Sequence, residues 1–310
     1  METIFITHPS FYQHEMGAGH PESPLRLQAI QKHLAQTGLT NMLHEMTALK
    51  AKEEDLSRVH SLHHIATMQQ YAPETGYFSI DSDTVLNPHT LEAAYYAAGA
   101  GILAVDQVMA GHAQRAFCAV RPPGHHACFD QAMGFCFFNN VAVAAAYAIE
   151  RYQLDQVVIV DFDVHHGNGT EDIFAHQDQV QMFGFYQHPF YPHARHLPEA
   201  PNMYNEAVPA GTESTAIRDL VTQSWLPRLR QLKPKLLFFS AGFDAHTEDA
   251  MAQMHLTEAD FAWITDQVMQ ATAISTHGRV ISMLEGGYAL DALARSVAAH
   301  IKVLAGLATK

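Results

Sequence analysis

The sequence predicts an α/β fold: a mostly parallel β-sheet with helices on both faces. Two observations carry that prediction. Short apolar runs recur along the chain and read as buried strands, and stretches with helical character separate them. A third bears on organisation. No Pro/Ser/Gly-rich linker, charge block or repeat interrupts the 310 residues, so one domain spanning 1–310 is expected.

The elements follow in order. IFIT (4–7) is the first apolar run. SPLRLQAIQKHLAQTG (23–38) reads as a helix, with Ser23 placed to cap it, Pro24 at its first position and Gly38 at its end. Residues 89–110 are Ala-rich and helical in pattern. FCAV (117–120) reads as strand, 139–150 as helix, VVIV (157–160) and QMFGF (181–185) as strands. Residues 214–232 form a helical pattern with Trp225 and Leu229 on one face. LLFFS (236–240) is a strand. Thr257 and Asp260 have the spacing of a capping box for a helix to about 273. VISML (280–284) and a helix over 289–307 close the chain.

Eighteen basic against 32 acidic residues give a formal net charge of −14. That balance argues against binding to nucleic-acid phosphates or anionic membranes, and leaves cationic peptides and amines open as substrates. Cys118, Cys128 and Cys136 are an odd number without a C-x-x-C pair, the usage of reduced thiols in a cytoplasmic protein. The N-terminus lacks a secretory pattern, and no apolar stretch reaches the length of a membrane span. Nothing in the sequence excludes a homo-oligomer.

In parallel sheets ligands bind beyond the carboxyl ends of the strands. FCAV is followed by RPPGHH, VVIV by DFDVHHGNG, LLFFS by AGFD and VISML by EGGY. One polar loop is ordinary surface; four at equivalent strand ends can converge on a site. Asp163 and His165 are two apart, so on extended backbone they face one way. Asp244 can supply a third ligand from another loop. Two oxygens and one nitrogen suit a divalent cation, with Zn²⁺ the first expectation and iron(II) or cobalt open. Three protein ligands leave a position for water and substrate. His125 and His126 suit proton transfer, with Asp161 and Asn168 as available orienting partners. Gly286 and Gly287 let a loop fold over the site, and the Tyr288 phenol can donate to a developing oxyanion.

HPESPLRL (20–27), RPPGHHA (121–127), GFCFFNNVAVAA (134–145), DFDVHHGNGT (161–170), SAGFDAH (240–246) and EGGYAL (285–290) together resemble the zinc-dependent histone deacetylase family. In the wide sense that family includes acetylpolyamine amidohydrolases and acetoin-utilisation proteins. HPESP, FCFFNN and HHGNGT are most similar to its class II and bacterial branch. The resemblance implies an arginase/deacetylase-like α/β fold with an eight-stranded parallel sheet. It implies removal of acyl groups from acyl-lysine or related acylated amines. It implies one catalytic Zn²⁺ held by Asp163, His165 and Asp244. His125 would pair with Asp161, and His126, the general base, with Asn168. Tyr288 would help to polarise the amide carbonyl. Phe135 and Tyr191 would wall the acyl channel beside Gly286, and His166 would be structural.

The chain departs from the family pattern at three places. A structural K⁺ would use Asp161 and the main-chain carbonyls of Asp163 and His165, but Gly184 stands where a serine usually helps. HARHLPEAPN (193–202) replaces a glycine-rich pocket rim. Met251 stands where polyamine-selective relatives carry an acidic gatekeeper, with Glu248 and Asp249 nearby, so acyl-lysine peptides are expected over acetylated polyamines. An acetylpolyamine deacetylase is the alternative. A manganese ureohydrolase of the same fold would need a second carboxylate-rich metal motif, and an inactive binding module would be expected to lack a ligand or the tyrosine.

Overall fold

A computed structural model of the chain describes residues 3–193 and 200–307. In chain order the first elements are β1 (Thr3–Thr7), α1 (Leu25–Gln36), β2 (His44–Thr47), α2 (Glu53–Leu56) and α3 (Leu62–Tyr71). A small hairpin of β3 (Phe78–Ser79) and β4 (Val85–Leu86) leads to α4 (Thr90–Met109), β5 (Arg115–Cys118) and α5 (Asn140–Tyr152). Then come β6 (Val157–Asp161), α6 (Asn168–Phe174), β7 (Val180–Gln187) and β8 (Met203–Val208). The last elements are α7 (Ser214–Leu220), α8 (Leu226–Leu232), β9 (Leu236–Ala241), α9 (Glu258–Thr276), β10 (Val280–Leu284) and α10 (Leu290–Leu304).

Eight strands form one sheet in the order β2-β1-β5-β10-β9-β6-β7-β8, and every ladder in it is parallel. The central strands are buried along their whole length, which is why they read as unbroken apolar runs. Helices α4 and α5 pack together on one side, while α1, α10, α9 and α8 pack in succession on the other. The edges were not legible as strands. β2 is a short, largely exposed HEMT and β8 a half-buried MYNEAV, so neither carries an apolar run.

Local differences have local causes. Ser23 makes no side-chain cap; α1 starts at Leu25 behind Pro24, and Ser23 contributes only its carbonyl, which accepts the Arg26 N–H at 3.1 Å. Gly38 follows the helix end at φ +74°, as its position predicted. The helical stretch 214–232 widens into a π turn over Val221–Trp225 just before Pro227. Proline lacks an N–H and crowds the carbonyl four residues back, and a wider turn relieves both. Thr257 and Asp260 form the predicted capping box.

Register sets up the site. Asp161 pairs with Ser240, Ser240 with Met283, and Met283 with Cys118. Strands β5, β10, β9 and β6 therefore end level, and the four polar loops leave the same edge side by side.

Candidate active site

Beyond β6 the chain bends at Val164 and His165, not extended as the sequence suggested, yet Asp163 and His165 still converge, and the β9 loop brings Asp244 to them. One potential ligand atom from each of the three lies within 4.8 Å of the others, and all three residues are buried. Backbone donors fix the carboxylates. Asp163 accepts N–H groups from His165 at 2.9 Å and Gly286 at 2.8 Å, and Asp244 Oδ1 accepts from Val164 at 2.9 Å. A Cβ at Gly242 would lie 2.0 Å from Asp163, and one at Gly286 would lie 2.1 Å from Asp244, so bare backbone is required there.

The remaining oxygen of Asp244, Oδ2, is buried and has no hydrogen-bond partner among the described residues, although His165 Nδ1 stands 3.2 Å away. Burial, then repulsion from Asp163, pushes the Asp244 carboxyl up to about 6. Burial also opposes the charge on Asp163, but His125 and His165 outweigh it and hold that carboxyl below its usual range. Two crowded carboxylates, an imidazole and an orphaned oxygen away from water make a donor set that a divalent cation satisfies.

The two histidines after β5 lie beside this cluster, ring centroids 4.0 Å apart. His125 Nδ1 meets Asp161 Oδ2 at 3.0 Å, and His126 Nδ1 meets Asn168 Oδ1 at 2.7 Å. The different partners push the rings in opposite directions. Burial disfavours charge on His125, yet Asp163 and Asp161 overcome it and raise its pKa well above the histidine value. Burial and then the cationic neighbours His125 and His165 drive His126 well below it. Such a pair separates a charged ring from a neutral one able to accept a proton. His166 takes no part: its Nε2 pairs with Glu171 at 2.7 Å, and its ring lies on Tyr186.

A narrow cavity of about 170 Å³ leads to these groups. The expected substrate-binding residues Phe135, Tyr191, Met251 and Gly286 all line it, together with Tyr288. Tyr191 stands edge-on to His126 at 5.3 Å, and Phe135 edge-on to Tyr288 at 5.8 Å. Phe135 adopts φ +68°, a left-handed conformation unusual for an aromatic residue and concentrated at functional sites. Sequence reasoning missed Phe190, Pro123 and Asp83 as wall residues. Phe190 stacks on His165 at 5.4 Å, and its place beside Tyr191 in HPFYP was the available signal.

It also missed the groups that support the site. Glu285, the first residue of EGGY, accepts the N–H of Gly124 at 2.7 Å and of His125 at 3.1 Å; burial pushes its carboxyl up to about 7. Arg26 binds the carbonyl oxygens of Glu285 and Gly287 and lies 4.9 Å over the Tyr288 ring. Neither Glu248 nor Asp249 lines the cavity. Glu248 pairs with Arg295, and Asp249 is buried and bound to backbone N–H groups. Beside Gly184, where no side chain can donate, sits the buried Oδ1 of Asn205, without a hydrogen-bond partner among the described residues. In the 193–205 rim, residues 194–199, including His196, lie outside the described residues.

A family model described as the histone deacetylase domain matches residues 20–304. An uncharacterized protein of Synechocystis sp. is 37% identical over 300 residues, 95% of this chain and 96% of that protein. The histone deacetylase-like amidohydrolase of Pseudomonas aeruginosa is 37% identical over 278 residues, 87% of this chain and 73% of its own. Polyamine deacetylase HDAC10 of Homo sapiens is 35% identical over 308 residues; these are 92% of this chain but only 44% of that protein. Among solved structures, the HDA15 HD domain superposes with a TM-score of 0.91 at 31% identity, covering 100% of this chain and 91% of that one.

Proposed function

The chain belongs to the histone deacetylase family, and from that premise we propose a zinc-dependent amidohydrolase that removes acetyl or related acyl groups from lysine side chains. One observation carries the reading. His165 of the ligand cluster, His126 and the Tyr288 phenol all line a single narrow cavity with aromatic walls. An unbranched acylated side chain fits such a channel, with its amide at the closed end.

Asp163, His165 and Asp244 would hold the zinc. When bound, the ion would polarise the amide carbonyl and lower the pKa of water, worth several kcal/mol of charge stabilisation. The protein's own groups do the rest. Asn168 occupies His126 Nδ1 and leaves Nε2 to take the proton of the attacking water. His125, held by Asp161, packs its ring beside that of His126 at 4.0 Å between centroids. The Tyr288 hydroxyl donates to the oxyanion, an interaction worth about 3 kcal/mol where such donors have been removed. His126, now protonated, delivers its proton to the leaving amine. Phe135, Tyr191 and Gly286 line the walls, and Met251 gives them an apolar side chain where a substrate ammonium would need a carboxylate.

A K⁺ beneath the cluster would rest on Asp161 and the main-chain carbonyls of Asp163 and His165. The unpartnered Asn205 oxygen beside Gly184 supports it as a replacement for the missing serine. Free Cys118, Cys128 and Cys136 support a reducing compartment, the cytoplasm. No helix among the described residues is long and apolar enough to cross a membrane.

The test is a hydrolysis panel with zinc-loaded and metal-stripped protein: acetyl-lysine peptides, longer acyl-lysines and acetylated polyamines. Turnover of an acyl-lysine peptide that is lost on stripping and restored by zinc is the expected result. No hydrolysis of any acyl amide would leave a binding module instead.

A further inference from the structure

Asp249 is spent on the backbone of the site rather than on substrate. Its side chain is buried, with the residue 6% exposed. Oδ2 accepts the N–H of Tyr288 at 2.6 Å and of Ala289 at 3.0 Å, while Oδ1 accepts the N–H of Met251 at 3.0 Å. One carboxylate thus joins the loop after β9, which carries Asp244 and Met251, to the loop after β10, which carries Tyr288.

The Tyr288 loop needs such an anchor. Two glycines precede the tyrosine, and Gly287 sits at φ +119°, a conformation with little intrinsic restraint. Arg26 grips the carbonyls of Glu285 and Gly287, and Asp163 takes the N–H of Gly286. Beyond that point the N–H groups of Tyr288 and Ala289 are held by Asp249. A phenol hung from a Gly-Gly hinge loses its aim if its own amide is released, and small misplacements of a catalytic group are costly.

We propose that Asp249 is a positioning residue that aims the Tyr288 phenol and, through its other oxygen, seats the Met251 wall. The proposal rests on Tyr288 being the oxyanion donor, and its test separates the two. Asp249→Asn keeps the shape but only one accepting oxygen, so it cannot serve both loops. The measurement is kcat and KM for an acetyl-lysine peptide across a cycle of wild type, Asp249→Asn, Tyr288→Phe and the double variant, with bound zinc determined for each. We expect full zinc content and about a tenfold fall in kcat for Asp249→Asn, shrinking to less than about twofold in the Tyr288→Phe background, because residues acting through one group are not additive. Equal losses in both backgrounds, or no loss in either, would overturn the proposal. A Tyr288→Phe variant with unchanged kcat would instead overturn the role of the phenol. Should Asp249→Asn not fold, Ala289→Pro removes a single donor to the same carboxylate at a φ of −75° that proline accepts. It should lower kcat a few-fold in the wild-type background alone, and an unchanged kcat would count against the proposal.

Discussion

His126 Nδ1 lies 2.7 Å from Asn168 Oδ1, a neutral oxygen, whereas its neighbour His125 faces a carboxylate. The Asn168 oxygen favours the His126 cation, but burial and then His125 and His165 outweigh it and hold the ring well below the usual histidine value. His166, one residue past His165, is bound to Glu171 instead.

His126→Ala should therefore lower kcat/KM by about 100-fold or more, the scale of general-base catalysis, while His166→Ala lowers it by only about twofold to threefold. Steady-state kinetics alongside thermal melting checks this. Equal kinetic losses at equal stability would remove His126 as the base.

Asp244→Ala should cost most of the bound metal, because two protein ligands remain and the orphaned oxygen is gone. Metal analysis after dialysis is the measurement, with one zinc per chain expected for the wild type. A variant that keeps full zinc and normal activity would place the ion elsewhere.

Met251 lines the cavity, and the two nearby carboxylates are committed to Arg295 and to backbone. An acetyl-lysine peptide should thus be the better substrate than N8-acetylspermidine, since a desolvated ammonium beside a thioether goes unpaired. Met251→Glu should shift the ratio of the two kcat/KM values toward the polyamine by about tenfold or more, about 1.4 kcal/mol. A wild type that prefers the polyamine would point to a different acidic partner, with the wall residue Asp83 the first to test.

His300 is fully buried between Thr265 and Ser282, and burial lowers its pKa to about 3; His60 is lowered equally far, by burial and then His64. Unfolded histidine titrates near 6.5, so below that pH the unfolded chain takes protons that the fold refuses. The contribution of these residues is complete above about pH 6.5 and is lost as pH falls toward 3, by up to about 1.4 kcal/mol per unit for each ring. Urea midpoints between pH 7 and 4.5 should fall accordingly. His300→Gln should start lower at pH 7 and fall less steeply. An unchanged slope would show that His300 does not contribute.

Much of this protein was written locally. The central strands, the Thr257–Asp260 capping box and Gly38 at the end of α1 were readable because burial on both faces, capping and left-handed backbone each demand a residue type at a fixed spacing. The spacing of Asp163 and His165 marked them as a pair, although the chain bends at Val164 and His165 instead of staying extended. Partnership across the fold is another matter. Asp244 reaches His165 from 79 residues away only because β9 pairs with β6 in one register. The same sequence neighbourhood offered Glu248 and Asp249 as carboxylates for substrate, and loop packing turned one toward Arg295 and the other onto the Tyr288 amide. Glu285 beneath the histidines and Asn205 beside Gly184 had no local signature either, and edge strands β2 and β8 lacked the apolar run that only two-sided burial selects. Periodicity belongs to a backbone segment and can be read along it. The groups that meet a side chain depend on which distant loops the sheet brings to the same edge, and only the folded chain decides that.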